Sequence, residues 1–235
     1  MTSDSKISPL FVTGTDTNVG KSVVSFLLLK AMIEKGFSPI YLKPLQTGCD
    51  FPNDLKADAS IISKRLNNIR ITPKCTTLYC FPQPKAPWFA ALNVNKSIDP
   101  DQLLKKIKTV KKKSDPLVVE GAGGLMVPIS ADFLMIDLIT CLKFPVILVA
   151  RDGLGTINHT LLSLAALRTC GVSSVKVILM ATSSVPTPKK MVSENRQAIE
   201  HFGHVSVVGH IGWIQDFRAI PDHIIRTIGK VFDTQ

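Results

Sequence analysis

The sequence predicts an α/β fold: a mostly parallel sheet covered by helices on both faces. Short runs of Val, Ile and Leu alternate along the chain with segments of helical period. Continuous apolar strands of this kind belong to sheets buried on both sides, and the intervening helices supply the covers. Hydrophobic residues make up 45% of the chain, ample for a buried core and outside the disordered range. The 235 residues suit one domain, 1–235, because α/β folds often reach this size undivided.

The first strand is expected at Leu10–Thr13, followed by a helix over Lys21–Lys35 that Gly36 stops. Pro39–Leu42 reads as a second strand and Asp54–Leu66 as a helix. Cys75–Ala90 carries Pro82, Pro84 and Pro87 and is expected to be irregular. Asp99 before Pro100 is an N-cap with proline at the first helical position, and the helix it opens runs to about Lys113. Further strands are expected at Leu117–Glu120, Val146–Ala150, Val175–Met180 and Val205–Ile211. Helices are expected at Thr156–Cys170, ended by Gly171, and at Lys189–Phe202 and Ile220–Val231. In such a sheet a ligand lies beyond the C-terminal strand ends, which is where the chemistry-bearing motifs fall.

The net charge of +10 raises the question of a nucleic-acid partner. Much of the excess comes from Lys105, Lys106, Lys108, Lys111, Lys112 and Lys113. Leu103, Leu104, Ile107 and Val110 keep helical spacing among them, so the lysines read as the wet side of an amphipathic helix. No nucleic acid is therefore expected. No stretch approaches the roughly 18 apolar residues of a membrane helix, and MTSDSKISPL lacks the apolar run of a signal peptide. A cytoplasmic protein without a membrane partner is the expectation. The cysteines, Cys49, Cys75, Cys80, Cys141 and Cys170, form no CxxC. Reduced thiols are the simplest reading, and zinc is not expected.

Gly14-Thr-Asp-Thr-Asn-Val-Gly20-Lys21-Ser22 joins the first strand to the first helix. A loop in this position aims backbone N–H groups at an anion and adds the helix dipole. Lys21 would neutralise outer phosphates and the Ser22 hydroxyl would meet magnesium. Five residues separate Gly14 from Gly20, one more than in GxxxxGK[ST]. The context nevertheless favours phosphate binding over a plain glycine turn, and makes the fold P-loop NTPase-like.

Three further segments lie near strand ends. Lys43-Pro44-Leu45-Gln46-Thr47-Gly48 follows the second strand; read alone, Lys43 is as much a surface lysine as a functional one. Glu120-Gly121-Ala122-Gly123-Gly124 follows Leu117–Val119, and a carboxylate just past a buried strand is where phosphate-loop enzymes place a magnesium-side acid. Gly155-Thr156-Ile157-Asn158-His159 opens a helix, and His159 alone reads as a packing residue. Asp58, within Ala57-Asp58-Ala59, reads locally as a helix-surface aspartate.

Taken together, GTDTNVGKS closely resembles the GTDTxVGK[ST] loop of dethiobiotin synthetases, KPLQTG resembles their KPxx[ST]G, EGAGG matches, and GTINH resembles their GxxNH. The resemblance runs from Phe11 to about Trp213. It implies an ATP- and magnesium-dependent cyclo-ligase of biotin biosynthesis. The substrates would be 7,8-diaminopelargonic acid, CO2 and ATP, and the products dethiobiotin, ADP and phosphate. It implies catalytic roles for Lys21 and Lys43, and substrate contacts from Thr47 and Asn158. It assigns nucleotide binding to Asp16, Thr17, Asn18, Val19, Gly20, Lys21, Ser22, Asp58, Glu120, Gly121, Ala122, Gly123, Thr182, Ile211, Gly212 and Trp213. Mg2+ would sit on Ser22, Asp58 and Glu120. It also implies a homodimer, with Asn158 reaching the partner's substrate site. Two departures bear on the base: Thr182 stands where relatives usually carry Asn, and Ile211-Gly212-Trp213 where Ile-Pro-Trp is common.

Two other readings compete. An amide-forming synthetase of the cobyrinic acid type usually carries a further glutamine-hydrolysing domain, for which 235 residues leave little room. A ParA/MinD-like partition ATPase would carry a second lysine early in its loop, as KGGxGKT, whereas Thr13 and Thr15 flank Gly14 here.

Overall fold

The computed structural model describes residues 7–66, 76–113 and 116–232. Strands β1 (Leu10–Gly14), β2 (Ile40–Leu42), β5 (Leu117–Gly124), β6 (Val146–Arg151), β7 (Val175–Met180) and β8 (Ser206–Ile211) form a six-stranded sheet in the order β2-β5-β1-β6-β7-β8. Every pairing in it is parallel. Two short strands, β3 (Leu45–Thr47) and β4 (Tyr79–Phe81), pair in parallel beside it. The helices are α1 (Lys21–Glu34), α2 (Asp58–Leu66), α3 (Pro87–Leu92), α4 (Pro100–Lys113), α5 (Met135–Leu142), α6 (Thr156–Thr169), α7 (Lys189–Gly203) and α8 (Asp222–Gly229). The expected mostly parallel sheet with helical covers is what forms.

Side chains of period two divide each strand between two buried layers. Leu10 and Val12 of β1, Ile147 and Val149 of β6, and Ile178 and Met180 of β7 join α1 and α8 in one core. Phe11, Val119 and Val146 turn to the other face, against Leu103 and Ile107 of α4 and the apolar side of α5. Leu148, Val177 and Leu179 meet α6 and α7 there. Helix α1 is buried nearly all round, from Val24 through Met32, because the sheet lies on one side and α2 and α8 on others. Truncating one of its core leucines, Leu28→Ala, would cost about 2–5 kcal/mol. The helix that carries Lys21 and Ser22 is therefore a rigid mount.

Helix α4 bears out the lysine reading: Leu103 and Ile107 are buried, while Lys105, Lys106, Lys108, Lys111 and Lys112 are exposed. Asp99 caps it, its Oδ1 accepting the Gln102 N–H at 3.0 Å. Other expectations need correction. The second helix begins at Asp58, not Asp54, because residues 54–57 form turns closed by Ala57 N–H to the Asp54 carbonyl. Cys75 lies outside the described residues, but the rest of the segment expected to be irregular contains β4 and the start of α3, with Pro87 at the first helical position. Strand β5 does not end at Glu120; it continues through the glycines to Gly124. Helix α5 was not anticipated, and Asp137 secures its start by accepting the Leu134 N–H at 2.7 Å.

Candidate active site

The carboxyl ends of β1, β2, β5 and β7 meet at one end of the sheet. Strand β1 runs into the loop 15–20, in which Asn18 and Gly20 adopt positive φ, 57° and 97°. A Cβ on Gly20 would lie 2.6 Å from Met180 Cγ, so the end of β7 presses on the loop and only glycine fits. The Val24 N–H to Gly20 carbonyl bond starts α1. Lys21 folds back over the loop and donates to the Asp16 carbonyl at 2.8 Å. The Asp16 carboxylate is held by Arg151 Nη2 at 2.9 Å and by the Thr17 N–H at 2.7 Å.

Lys43 leaves β2 beside this loop and is buried. Its Nζ lies 2.6 Å from Glu120 Oε1, 3.1 Å from Asp58 Oδ2 and 3.2 Å from the Gly121 carbonyl. Three acceptors match the three N–H bonds of an ammonium. Glu120 is fully buried, which an unpaired carboxylate would not tolerate. Besides Lys43 it accepts from Ser22 Oγ at 2.8 Å, Ser25 Oγ at 2.7 Å and Tyr41 Oη at 2.9 Å. Ser22 Oγ also sits 2.7 Å from Asp58 Oδ1. One hydroxyl hydrogen serves one carboxylate at a time, so Ser22, Asp58 and Glu120 form a tight knot of hard oxygens.

The two lysines differ in charge environment although both are buried. Burial, and next the charge of Lys43, pull Lys21 down to about 8, against Glu120, Asp58 and Asp16. Burial would also lower Lys43, but the Glu120 and Asp58 carboxylates in direct contact outweigh it and raise Lys43 above its ordinary value. Burial would raise Asp58, yet Lys43 and the Ser22 hydrogen bond hold it below the usual carboxylate range. Tyr41 is driven well above its ordinary value by burial and then by Glu120, so it stays a neutral donor.

Lys21, Ser22, Lys43, Asp58 and Glu120 line a cleft of about 860 Å³. Thr17, Asn18, Gly20, Lys21, Ser22, Lys43, Thr47, Asp58, Glu120, Ala122, Gly123, Thr182 and Trp213 all face it, as the sequence reading groups them. The remaining residues do not. Val19 and Ile211 are buried in the core, Gly121 meets Lys43 through its carbonyl, and Gly212 is exposed. Asp16 faces a second, smaller hollow of about 340 Å³ behind the loop. Asn158 is exposed on α6, away from the cleft of its own chain. The sequence reading missed Ser25, Tyr41, Gln46 and Lys85. Ser25 follows Ser22 at helical i,i+3 spacing and Tyr41 precedes Lys43 by two on the β2 line, so both pairs share a face. Gln46 and Lys85 carry no such periodic signal.

A family model described as an AAA domain matches residues 8–220. The ATP-dependent dethiobiotin synthetase of Paramagnetospirillum magneticum is 41% identical over 86% of this chain and 86% of its own length. The chain belongs to the dethiobiotin synthetase family. The biotin biosynthesis bifunctional protein of Bordetella avium is 45% identical over 86% of this chain, which spans 39% of that longer protein. Among solved structures, the MinC:MinD cell division complex of Aquifex aeolicus aligns with a TM-score of 0.60, covering 95% of each chain at 14% identity. That likeness is one of fold. In this family member Lys43 is bound to Glu120 and Asp58 beside the phosphate loop.

Proposed function

We propose that this chain makes dethiobiotin from 7,8-diaminopelargonic acid, carbon dioxide and ATP, releasing ADP and phosphate. The observation that supports it most is the buried Lys43, 2.6 Å from Glu120, opening onto the same cleft as Lys21 and Ser22. One substrate amine captures carbon dioxide as a carbamate, whose oxygen attacks the γ-phosphate. The second amine then attacks the carbon of the resulting carbamic–phosphoric anhydride, the ring closes and phosphate leaves. No nucleophilic side chain is required, because the substrate supplies both amines.

Negative charge gathers on a carbamate and a triphosphate in this reaction, so fixed positive charge is what lowers the barrier. Lys21 and the loop that carries it bind the outer phosphates. Lys43, kept charged by its carboxylate partners, faces the carbamate. Thr47, which lines the cleft next to it, hydrogen-bonds the carbamate or an amine. Ser22, Asp58 and Glu120 would hold Mg2+. Among the described residues no group of three or more His, Cys, Asp or Glu forms a metal site. Two carboxylates and a hydroxyl nonetheless suit a cation that fills its shell with substrate phosphates and waters. Held there, Mg2+ would offset the negative charge of the triphosphate. The reading extends to a single-domain cytoplasmic homodimer in which Asn158 serves the partner's substrate site.

Phosphate release should require ATP, Mg2+, bicarbonate and the diamine together, each omitted in turn. Equal ATP hydrolysis without the diamine would sink the assignment. Stimulation by DNA in its place would favour a partition ATPase.

A further inference from the structure

We infer that Gln46 is a positioning residue that anchors Asp58, and with it the start of α2, to the floor of the cleft. This rests on the reading of Asp58 as a metal-holding carboxylate. Gln46 sits in the middle of β3, lines the cleft and is only 7% exposed. Both ends of its amide are committed. Oε1 accepts the Asp58 N–H at 3.2 Å, and Nε2 donates to the Thr47 carbonyl at 3.0 Å. The first N–H groups of a helix have no partner within the helix. Gln46 supplies one from a strand twelve positions earlier.

The need for this anchor follows from what else holds Asp58. Its carboxylate is tied to Ser22 at 2.7 Å and to Lys43 at 3.1 Å. Those are the bonds that a bound cation and triphosphate would replace, because Ser22, Asp58 and Glu120 would then hold the metal. An anchor on the backbone amide does not compete with the ligand. It keeps the carboxylate at the cleft while its side-chain partners exchange. Between β3 and α2 the Gly48 and Cys49 amides bond to the Gln83 and Phe81 carbonyls and Cys49 and Ala57 are buried, while Phe51 and Leu55 are exposed; the Asp58 amide itself is held by Gln46. The Thr47 bond fixes which end of the Gln46 amide faces Asp58, so the acceptor is always presented to the amide.

Two near-isosteric variants separate the bonds. Gln46→Met removes both, and Gln46→Glu keeps the acceptor for the Asp58 amide. Hydrogen exchange of the Asp58 amide, measured without nucleotide, reads the anchor directly. A net hydrogen bond is worth about 0.5–1.5 kcal/mol, which converts to roughly 2- to 12-fold in exchange rate. Gln46→Met should speed exchange at Asp58 by that factor, while amides in β1 and β6 keep their wild-type rates. It should raise the Mg2+ concentration for half-maximal activity by a similar factor, with KM for ATP at saturating Mg2+ within about twofold of wild type. Gln46→Glu should retain slow exchange at Asp58. Wild-type exchange at Asp58 in Gln46→Met, or equal acceleration throughout the sheet, would overturn the proposal. Asp58→Asn is the control for the underlying reading. If it leaves the Mg2+ requirement unchanged, the metal role of Asp58 fails, whatever the exchange data show for Gln46.

Discussion

Lys43 shows how far one residue can depart from its local sequence signal. A lysine after a short strand reads equally as surface or site, and only the carboxylates that fold against it decide. Lys43→Ala should cut turnover by roughly 10² or more, the scale for losing a preorganised charge at a transition state. Nucleotide binding should survive, since Lys21 and the loop remain. The same variant strips the cation from fully buried Glu120, and breaking a buried pair in this way costs about 3–5 kcal/mol. Melting temperature and turnover should therefore fall together, and binding of a fluorescent ATP analogue should persist below the melting point. Turnover near wild type would make Lys43 structural only. At the other end of the cleft, Thr182 offers one short hydroxyl where an amide would present a donor and an acceptor to adenine. Trp213, 53% exposed and lining the cleft, offers a ring face that stacks on any base. ATP should thus be used with little preference over GTP and CTP. A bidentate contact is worth about 1–3 kcal/mol of discrimination. A kcat/KM ratio favouring ATP by more than roughly a hundredfold, about 2.7 kcal/mol, would show that another group reads the base.

Among the elements, the phosphate loop separates functional glycine from structural glycine. Gly20 and Gly36 both adopt positive φ, 97° and 86°, but a Cβ on Gly20 meets Met180 while one on Gly36 meets nothing within 4 Å. Gly36→Ala should therefore cost only the backbone strain, about 1–2 kcal/mol, and leave KM for ATP unchanged. Gly20→Ala adds the collision and must displace the loop from β7. Its nucleotide affinity should fall at least roughly tenfold in calorimetric titration, a change of about 1.4 kcal/mol. Equal affinities in the two variants would mean that the loop relaxes freely. The long elements were legible in the sequence for physical reasons. Buried strands such as Val146–Ala150 read as unbroken apolar runs, and α4 alternates lysine with leucine and isoleucine at helical period. Strands β3 and β4 have three residues each and, among the described residues, pair with one another alone, so no run of alternation announces them. Helix α5, MIDLITCL, has a wet face of only Asp137, Thr140 and Cys141, and a mostly apolar run of eight residues is too short to tell helix from strand. The glycines after Glu120 read as a turn, yet they extend β5 because Gly124 pairs with Gly14. In the site, the loop and Glu120 were legible by position. Gln46 and Lys85 were not, since their places depend on β3–β4 pairing.

On the scale of the whole molecule, the expected substrate contact is out of place in a single chain. Asn158 is exposed near the start of α6 and does not line the cleft that holds Lys21 and Lys43. Leu154 and Leu162, on the same segment and helix, are 88% and 62% exposed, and Met126, on the rim of the hollow behind the phosphate loop, is 65% exposed. Apolar side chains that project this far become buried when two copies meet, and a twofold axis would set the same segment of each copy against the other. The prediction is a homodimer in which each Asn158 completes the partner's substrate site. Light scattering should report twice the 25.6 kDa chain mass. Sharing of sites gives a sharper test. Lys43→Ala and Asn158→Ala proteins, each nearly inactive alone, should regain activity when refolded together. In a mixed dimer one cleft carries both lesions and the other carries neither. Random pairing makes half the dimers mixed, so about a quarter of all clefts should work. Recovery near that level requires that Asn158 act across the interface. A fully active monomer, or no recovery on mixing, would show that each chain completes its own site.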